Sequence, residues 1–244
     1  MREFLRVTVP VFAIGAIAFW WASRRVSAEV KRARWIKFIS YVVIVHAVLG
    51  AAIVGRAAIG GLIIAIAAAG VVEILRAARS LRRDLSLLIP AAFVTVAAAA
   101  IVFGFAAPPL LVAYLYLVVA AFDGFSQAGG QLAGRRRLAP TVSPGKTVEG
   151  FLIGIAGAIV CALLFRGAAS VSAGAAVGFG AMCSCAGVAG DLAASWVKRR
   201  AGIKDYGTLL PGHGGVLDRF DSFLAAAAVM CVLGVAGVVP FTLR

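Results

Sequence analysis

Apolar stretches long enough to cross a bilayer alternate with short charged segments along most of this 244-residue sequence. A membrane-spanning helix needs about 20 mostly apolar residues, and most of the stretches approach that length. The pattern therefore predicts an all-α, polytopic membrane protein with about eight transmembrane helices. We place these helices near residues 4–22, 36–54, 57–75, 87–106, 108–122, 150–166, 170–190 and 222–242. The first stretch lacks an obvious cleavage site, which favours a retained helix over a signal peptide.

The composition supports this class, because 62% of the residues are hydrophobic and only 14% are charged. Soluble domains hold about 25% charged residues, so an ordinary globular domain and a disordered chain are both excluded. The four cysteines all lie inside apolar stretches and have no CxxC spacing. We interpret them as packing residues, not as disulfides or metal ligands.

Basic residues are distributed very unevenly between alternate loops. Of the 24 Lys and Arg residues, 19 lie in the four loops at residues 24–37, 76–86, 123–149 and 191–221. Because cytoplasmic loops retain Lys and Arg, we predict that these loops face the cytoplasm and that both termini lie outside. The protein is then a multi-pass protein of the cell (inner) membrane, with the lipid bilayer as a partner. Orientation explains the net charge of +14 without a nucleic-acid partner.

Carboxylates collect beside the same loops, at the predicted ends of apolar helices, where ionisable groups tend to mark functional sites. The spacings place Asp218 with Asp221, and Asp191 with Ser195, on one helix face each. Converging carboxylates can hold Mg²⁺, a hard cation that takes oxygen ligands. For any single aspartate, helix capping or pairing with an arginine stays open. The carboxylates at similar depth are Asp123, Glu149, Asp191, Asp218 and Asp221.

Candidate phosphate-binding groups lie in the same two loops. Residues 212–215 read Gly-His-Gly-Gly just before a predicted helix, where backbone N–H groups can bind an anion. His213 between these glycines fits a phosphate donor better than a metal ligand. The run SPGKT at residues 143–147 resembles the end of a Walker A loop, but Pro140 replaces its first glycine, so we reject that match. Positive charge for a polyphosphate is available from Lys146, Lys198, Arg199 and Lys204.

The run from residue 195 to residue 221 reads S-x-x-K-R-x4-K-D-x-G-x3-P-x-H-G-G-x-x-D-R-x-D. It resembles the signature of the phosphatidate cytidylyltransferases, also called CDP-diacylglycerol synthases. A second block is similar to the same family through Asp123, Ser126, Gly134, Leu138-Ala139-Pro140, Ser143-Pro144 and Lys146-Thr147. Val148 stands where the family commonly has Trp, and residues 135–137 are all Arg in place of a mixed Lys/His/Lys run.

The resemblance implies a magnesium-dependent transfer of the cytidylyl group of CTP to phosphatidic acid, giving CDP-diacylglycerol and pyrophosphate. It implies that Mg²⁺ is held by Asp191, Asp218, Asp221 and Asp123. It gives catalytic roles to Asp191, Asp218, Asp221, Lys198 and Arg219. It gives substrate-binding roles to Ser143, Lys146, Ser195, Arg199, Lys204, Asp205, His213, Gly214 and Gly215. It also suggests a homodimer, and the glycine pairs 150/154 and 174/178 would permit close helix packing.

Further expectations follow from this interpretation. Residues 1–122 would be N-terminal transmembrane helices and residues 123–244 the catalytic transmembrane region of one membrane unit. Asp218 is expected at a solvent-exposed helix end, and Arg137 as an ordinary cytoplasmic charge or a residue that steers CTP. One alternative function is a CTP-dependent lipid kinase acting on a polyprenol-type alcohol. Another is a transporter, which would favour charges at mid-membrane and repeated halves, and neither is evident.

Overall fold

The computed structural model describes residues 27–167, 169–212 and 214–238, together with Thr8, Ala16, Trp20 and Arg24. An antiparallel hairpin, β1 (Arg137–Ala139) with β2 (Ser143–Thr147), joins the fourth helix to the fifth. The predicted helix at residues 4–22 lies outside the continuously described residues. The described residues form seven helices: α1 (Ala28–Val54), α2 (Arg56–Ala78), α3 (Arg83–Ala106), α4 (Pro109–Ala133), α5 (Val148–Phe165), α6 (Ala173–Arg200) and α7 (Leu217–Val235).

The helices confirm a multi-pass membrane protein. Within the described residues, the six helices α1 to α6 are long and apolar enough to cross a bilayer. Helix α7 has three charged residues among its first five positions, so its apolar part is shorter. Large apolar side chains also lie on the outer surface of the bundle, such as Leu88, 64% exposed, and Leu164, 66% exposed. An apolar outer surface suits contact with lipid, and the all-α fold class is confirmed for the described residues, with the small hairpin added to the helices.

Several helices extend beyond the apolar stretches that predict them. Helix α4 continues to Ala133 instead of ending near residue 122, and α6 continues to Arg200 instead of residue 190. Helix α7 begins at Leu217, five residues before the predicted start. Hydropathy marks only the part of a helix that lies in lipid, whereas the helical hydrogen bonds continue into polar sequence. The segments predicted as loops at residues 123–149 and 191–221 therefore contain helical residues at their ends.

Helix α4 lies at the centre of the bundle, and its residues 111–119 are all buried. It packs closely against α5, because Gly150 and Gly154 allow the two backbones to approach. A Cβ atom at position 150 would lie 2.6 Å from the carbonyl oxygen of Ser126. This glycine pair therefore serves packing inside the bundle, whereas a Cβ at Gly174 or Gly178 would meet nothing within 4 Å.

The local sequence explains where α4 and α5 begin and why a hairpin precedes α5. Pro108 precedes α4 and Pro109 occupies its first turn, where a missing N–H costs nothing. The SPGKT run forms strand β2 and not a phosphate-binding loop, which agrees with the rejection of the Walker A match. Its last residue, Thr147, caps α5 by accepting a hydrogen bond from the N–H of Gly150 at 3.1 Å.

Candidate active site

A polar cavity of about 650 Å³ lies where the end of α4, the hairpin, the end of α6 and the start of α7 meet. The signature run and the second block, more than 40 residues apart at their nearest fixed positions, therefore face one space. A cavity with so many charged groups at the end of an apolar bundle is the first candidate for a functional site. Its charged lining residues are Asp123, Arg137, Lys146, Asp191, Lys198, Asp205, Asp218, Arg219 and Asp221.

Asp191 joins helix α6 to the hairpin. Its carboxylate accepts a hydrogen bond from the hydroxyl of Ser195 at 3.2 Å, which confirms that these residues share a helix face. The same carboxylate forms an ion pair with Lys146 on strand β2. One turn beyond Ser195 on α6, Nε of Arg199 donates to the carbonyl oxygen of Val142 at 3.3 Å. Two contacts therefore hold the hairpin against the end of α6.

The expectation of a solvent-exposed Asp218 is wrong, because its side chain is only 2% exposed. One carboxylate oxygen accepts from Nζ of Lys198 at 2.7 Å. The other accepts from the backbone N–H groups of Tyr206 at 2.8 Å and Gly215 at 2.9 Å. The loop at residues 201–216 folds over the first turn of α7 and covers Asp218. A positive φ of 87° at Gly214 helps the loop to do so.

Tyr206 is a buried residue of this loop. Its hydroxyl donates to the carbonyl oxygen of Ala194 at 2.9 Å, and Nζ of Lys198 lies 5.3 Å from its ring centre. Burial, and then the nearby carboxylates of Asp221 and Asp218, raise the pKa of the Tyr206 hydroxyl. Tyr206 therefore stays protonated near neutral pH and keeps α6 bound to the loop, without acting as a base.

Asp123 on α4 and Asp221 on α7 approach the cavity from opposite helices. Together with Asp191 they place three carboxylates in the lining of one cavity. The backbone N–H of Ser222 donates to Asp221 at 2.7 Å, which fixes that carboxylate. Among the described residues, no three Asp, Glu, His or Cys side chains are already arranged around one metal position. The donor set still suits Mg²⁺, because several hard carboxylate oxygens line a single cavity.

The structure brings together eight of the predicted site residues in the cavity, and six others that it describes lie outside the cavity lining. Ser195 and Gly215 act through the carboxylates that they contact, and Arg199 contacts the hairpin. Lys204 is exposed, and Ser143 begins strand β2. His213 lies outside the described residues. The eight that line the cavity are Asp123, Lys146, Asp191, Lys198, Asp205, Asp218, Arg219 and Asp221.

Six further polar side chains line the cavity: Ser126, Gln127, Gln131, Arg137, Thr147 and Ser222. Gln127 and Gln131 follow Asp123 at intervals of four residues on α4 and share its face. That spacing is visible in the sequence, but it places the three residues on one face only if the helix continues past residue 123. Arg137 also lines the cavity and donates to the carbonyl oxygen of Pro144 across the hairpin. It is therefore a wall residue and not an ordinary loop charge.

Comparison with known proteins gives results that agree with this site. A family model described as "Cytidylyltransferase family" matches residues 6–236. A phosphatidate cytidylyltransferase of Brucella abortus is 43% identical over 124 residues, which cover 50% of this chain and 46% of that protein. One of Staphylococcus aureus is 37% identical over 122 residues, covering 49% of this chain and 47% of that protein. The chain thus spans about half the length of the curated relatives that it matches.

Proposed function

The chain belongs to the cytidylyltransferase family, and from this premise we propose that it transfers the cytidylyl group of CTP to phosphatidic acid. The products are CDP-diacylglycerol and pyrophosphate. One observation carries the proposal: aspartates, lysines and arginines from four parts of the chain line one cavity at the end of an apolar bundle. A membrane lipid with an anionic head and a soluble polyphosphate can meet at such a place. Relatives with this named activity support the choice of substrates.

The reaction exchanges one phosphate bond for another. An oxygen of the lipid phosphate forms a bond to the α-phosphorus of CTP, and the bond from that phosphorus to the β-phosphate breaks. Pyrophosphate leaves with the bonding electron pair. Because the lipid phosphate is already ionised near neutral pH, no strong general base is needed. Catalysis is then mostly positioning and stabilisation of charge.

The basic side chains of the cavity suit this task. Lys146 and Lys198 approach from the hairpin and from α6, so they can contact phosphates on two sides. In the structure each is paired with an aspartate that also lines the cavity. Arg219 and Arg137 add guanidinium groups, which bind phosphate through paired hydrogen bonds. The lipid would enter from the bilayer and the nucleotide from the aqueous end.

We propose that Mg²⁺ is bound by the carboxylates of Asp123, Asp191 and Asp221, with Asp218 at the inner wall. When bound, Mg²⁺ would neutralise the triphosphate and polarise its phosphorus. The aspartates hold positions on three helices, so their spacing depends on how α4, α6 and α7 pack. The inner membrane and a cytoplasmic cavity opening remain part of this proposal, supported by the uneven distribution of basic residues.

Labelled CTP tests the proposal directly. The purified protein in phosphatidate-containing micelles is given CTP labelled at the α- or γ-phosphorus, with and without Mg²⁺. We expect label in the lipid only from the α-position and only with Mg²⁺. Label from the γ-position, with a polyprenol-type alcohol as acceptor, would instead identify a lipid kinase. Transfer that continues in excess chelator would remove the metal from the proposal.

A further inference from the structure

A buried carboxylate outside both sequence blocks contacts the site from behind. Glu73 lies near the end of helix α2 and is only 5% exposed. Its Oε1 accepts a hydrogen bond from the N–H of Val216 at 2.9 Å, and its Oε2 accepts one from the N–H of Leu217 at 2.8 Å. Glu73 therefore binds two consecutive backbone groups that are 143 and 144 residues away in the sequence.

These two N–H groups belong to the start of helix α7. The first N–H groups of a helix have no partner within the helix, and Val216 has no polar side chain with which to cap it. A carboxylate from α2 supplies the missing acceptors. Its negative charge also suits the positive end of the helix dipole. Glu73 thus does from another helix what a capping residue normally does locally.

The loop at residues 201–216 is shaped to admit this carboxylate. A Cβ atom at position 215 would overlap the carboxylate of Glu73, and one at position 207 would lie 3.0 Å from its Oε1. Both positions are glycines of the signature run. Part of that glycine pattern is therefore explained by close packing against Glu73, independently of any phosphate.

The same backbone orients the aspartate next to it. Gly215, which packs against Glu73, donates its N–H to Asp218 at 2.9 Å. Asp218 in turn is paired with Lys198, and Arg219 and Asp221 follow on the same first turn of α7. The chain of contacts therefore runs from α2, through the loop, to three charged residues that line the cavity.

We infer that Glu73 is a positioning residue of the active site, which fixes the loop and the first turn of α7 so that Asp218, Arg219 and Asp221 face the cavity. The inference rests on the proposed function for its kinetic consequence. Its structural part, the fixing of the loop by Glu73, stands apart from that function. It gives a role in the site to the N-terminal helices, which carry no motif of their own.

The principal test is Glu73→Gln, which keeps the length of the side chain but replaces one acceptor oxygen with an NH₂ group that faces a backbone N–H. We expect a turnover at least tenfold lower and a severalfold higher Mg²⁺ concentration for half-maximal activity. The matched control is Ile63→Ala, a cavity-forming change in the same helix at a residue that is 1% exposed. It should lower thermal stability while leaving the Mg²⁺ requirement of the remaining enzyme unchanged.

Hydrogen exchange gives a measurement that does not depend on activity. Peptides covering residues 205–217 should exchange faster in Glu73→Gln than in the parent protein or in Ile63→Ala. Unchanged exchange at these residues in Glu73→Gln would overturn the inference. If the parent enzyme is active, a Glu73→Gln variant with the same Mg²⁺ requirement as the parent would overturn it too. If the parent enzyme makes no CDP-lipid, the proposed function fails, and the exchange data still decide whether Glu73 holds the loop.

A second variant covers the case in which Glu73→Gln does not fold. Gly207→Ala approaches the same carboxylate from the loop side, with a tighter contact instead of a lost one. We expect faster exchange at residues 205–217 in this variant, with a smaller loss of turnover. Exchange at parent rates in folded Gly207→Ala protein would contradict close packing between the loop and Glu73.

Discussion

Asp191 and Asp218 both line the cavity, but they lie in different surroundings. The Asp191 side chain is 28% exposed and is paired with Lys146, whose side chain is 21% exposed. The Asp218 side chain is 2% exposed, and its two oxygens accept from Lys198 and from two backbone N–H groups. Loss of charge at Asp218 leaves the ammonium group of Lys198, whose side chain is 12% exposed, without its partner. Loss of charge at Asp191 leaves Lys146 within reach of water.

This difference predicts two distinct phenotypes. Asp191→Asn should lower CDP-lipid formation by orders of magnitude and the free energy of unfolding by about 1 kcal/mol or less. Asp218→Asn should lower activity as strongly and also destabilise the fold by about 3–5 kcal/mol, because it breaks a buried ion pair. Activity and thermal unfolding are measured in one detergent, with exposed Asp84→Asn as the control. Equal stability losses in the two site variants would contradict the description of Asp218.

The sequence reveals residue contacts only where the spacing is helical. It places Asp191 with Ser195, and Asp218 with Asp221, because three or four residues make about one turn. It does not reveal that Lys198 meets Asp218, since an irregular loop lies between them. It reveals still less about Glu73, whose partners lie on another helix.

At the scale of elements, the site depends on how closely α6 and α7 pack. Gly190 precedes Asp191 on α6 and lies against α7. A Cβ atom at position 190 would overlap the Cβ of Ala225 and would lie 2.9 Å from the carbonyl oxygen of Asp221. The distance between the carboxylates of Asp191 and Asp221 is therefore controlled by a residue with no side chain.

Gly190→Ala should push α7 away from α6 and separate these two carboxylates. We expect about a tenfold or greater loss of activity, with a destabilisation of about 1–3 kcal/mol from overpacking. Gly178→Ala is the matched control, because it is the same change in the same helix with nothing within 4 Å. The control should be neutral or slightly stabilising, since alanine favours helix over glycine by up to about 1 kcal/mol. Equal activity and equal stability of Gly190→Ala and Gly178→Ala would contradict this account.

Element prediction works for the apolar part of each helix and fails at its polar ends. The apolar stretches located all seven described helices, because lipid imposes their composition. They did not reveal the ten further residues of α6 or the eleven of α4, where polar side chains continue the helix into the site. The hairpin was also missed, because two short strands leave little pattern in a Gly- and Pro-rich segment.

At the scale of the whole molecule, the N-terminal helices contact the loop at residues 201–216 and the start of α7 at two places. Besides the contact of Glu73 with α7, the hydroxyl of Ser40 on α1 donates to the carbonyl oxygen of Pro211 at 3.2 Å. Ser40 of α1, the end of α2 and the start of α7 therefore all lie beside the loop at residues 201–216. Two of the four basic loops, at residues 123–149 and 191–221, contribute residues to the cavity beside it.

Cysteine labelling tests which side of the membrane the cavity faces. Gly145→Cys and Thr208→Cys lie at the cavity end, whereas Ser170→Cys lies between α5 and α6 at the opposite end. In intact cells, an impermeant thiol reagent should label only Ser170→Cys above the level of the parent chain, and all three after permeabilisation. Ready labelling at position 145 or 208 before permeabilisation would contradict a cytoplasmic site.

The depth of the cavity has a consequence for inhibitors. Its lining follows α4 from Phe122 to Gln131, which is about 13 Å at the helical rise per residue. Asp123 lies near one end of this stretch of α4 and Gln131 at the other, and both Gln131 and Gly145 are uncharged. If the proposed function holds, a small neutral molecule bound beside Gln131 or Gly145 would take up space that the triphosphate needs, without imitating it. Such a compound would avoid the cost of carrying phosphate charge across an apolar membrane, which every substrate mimic must bear.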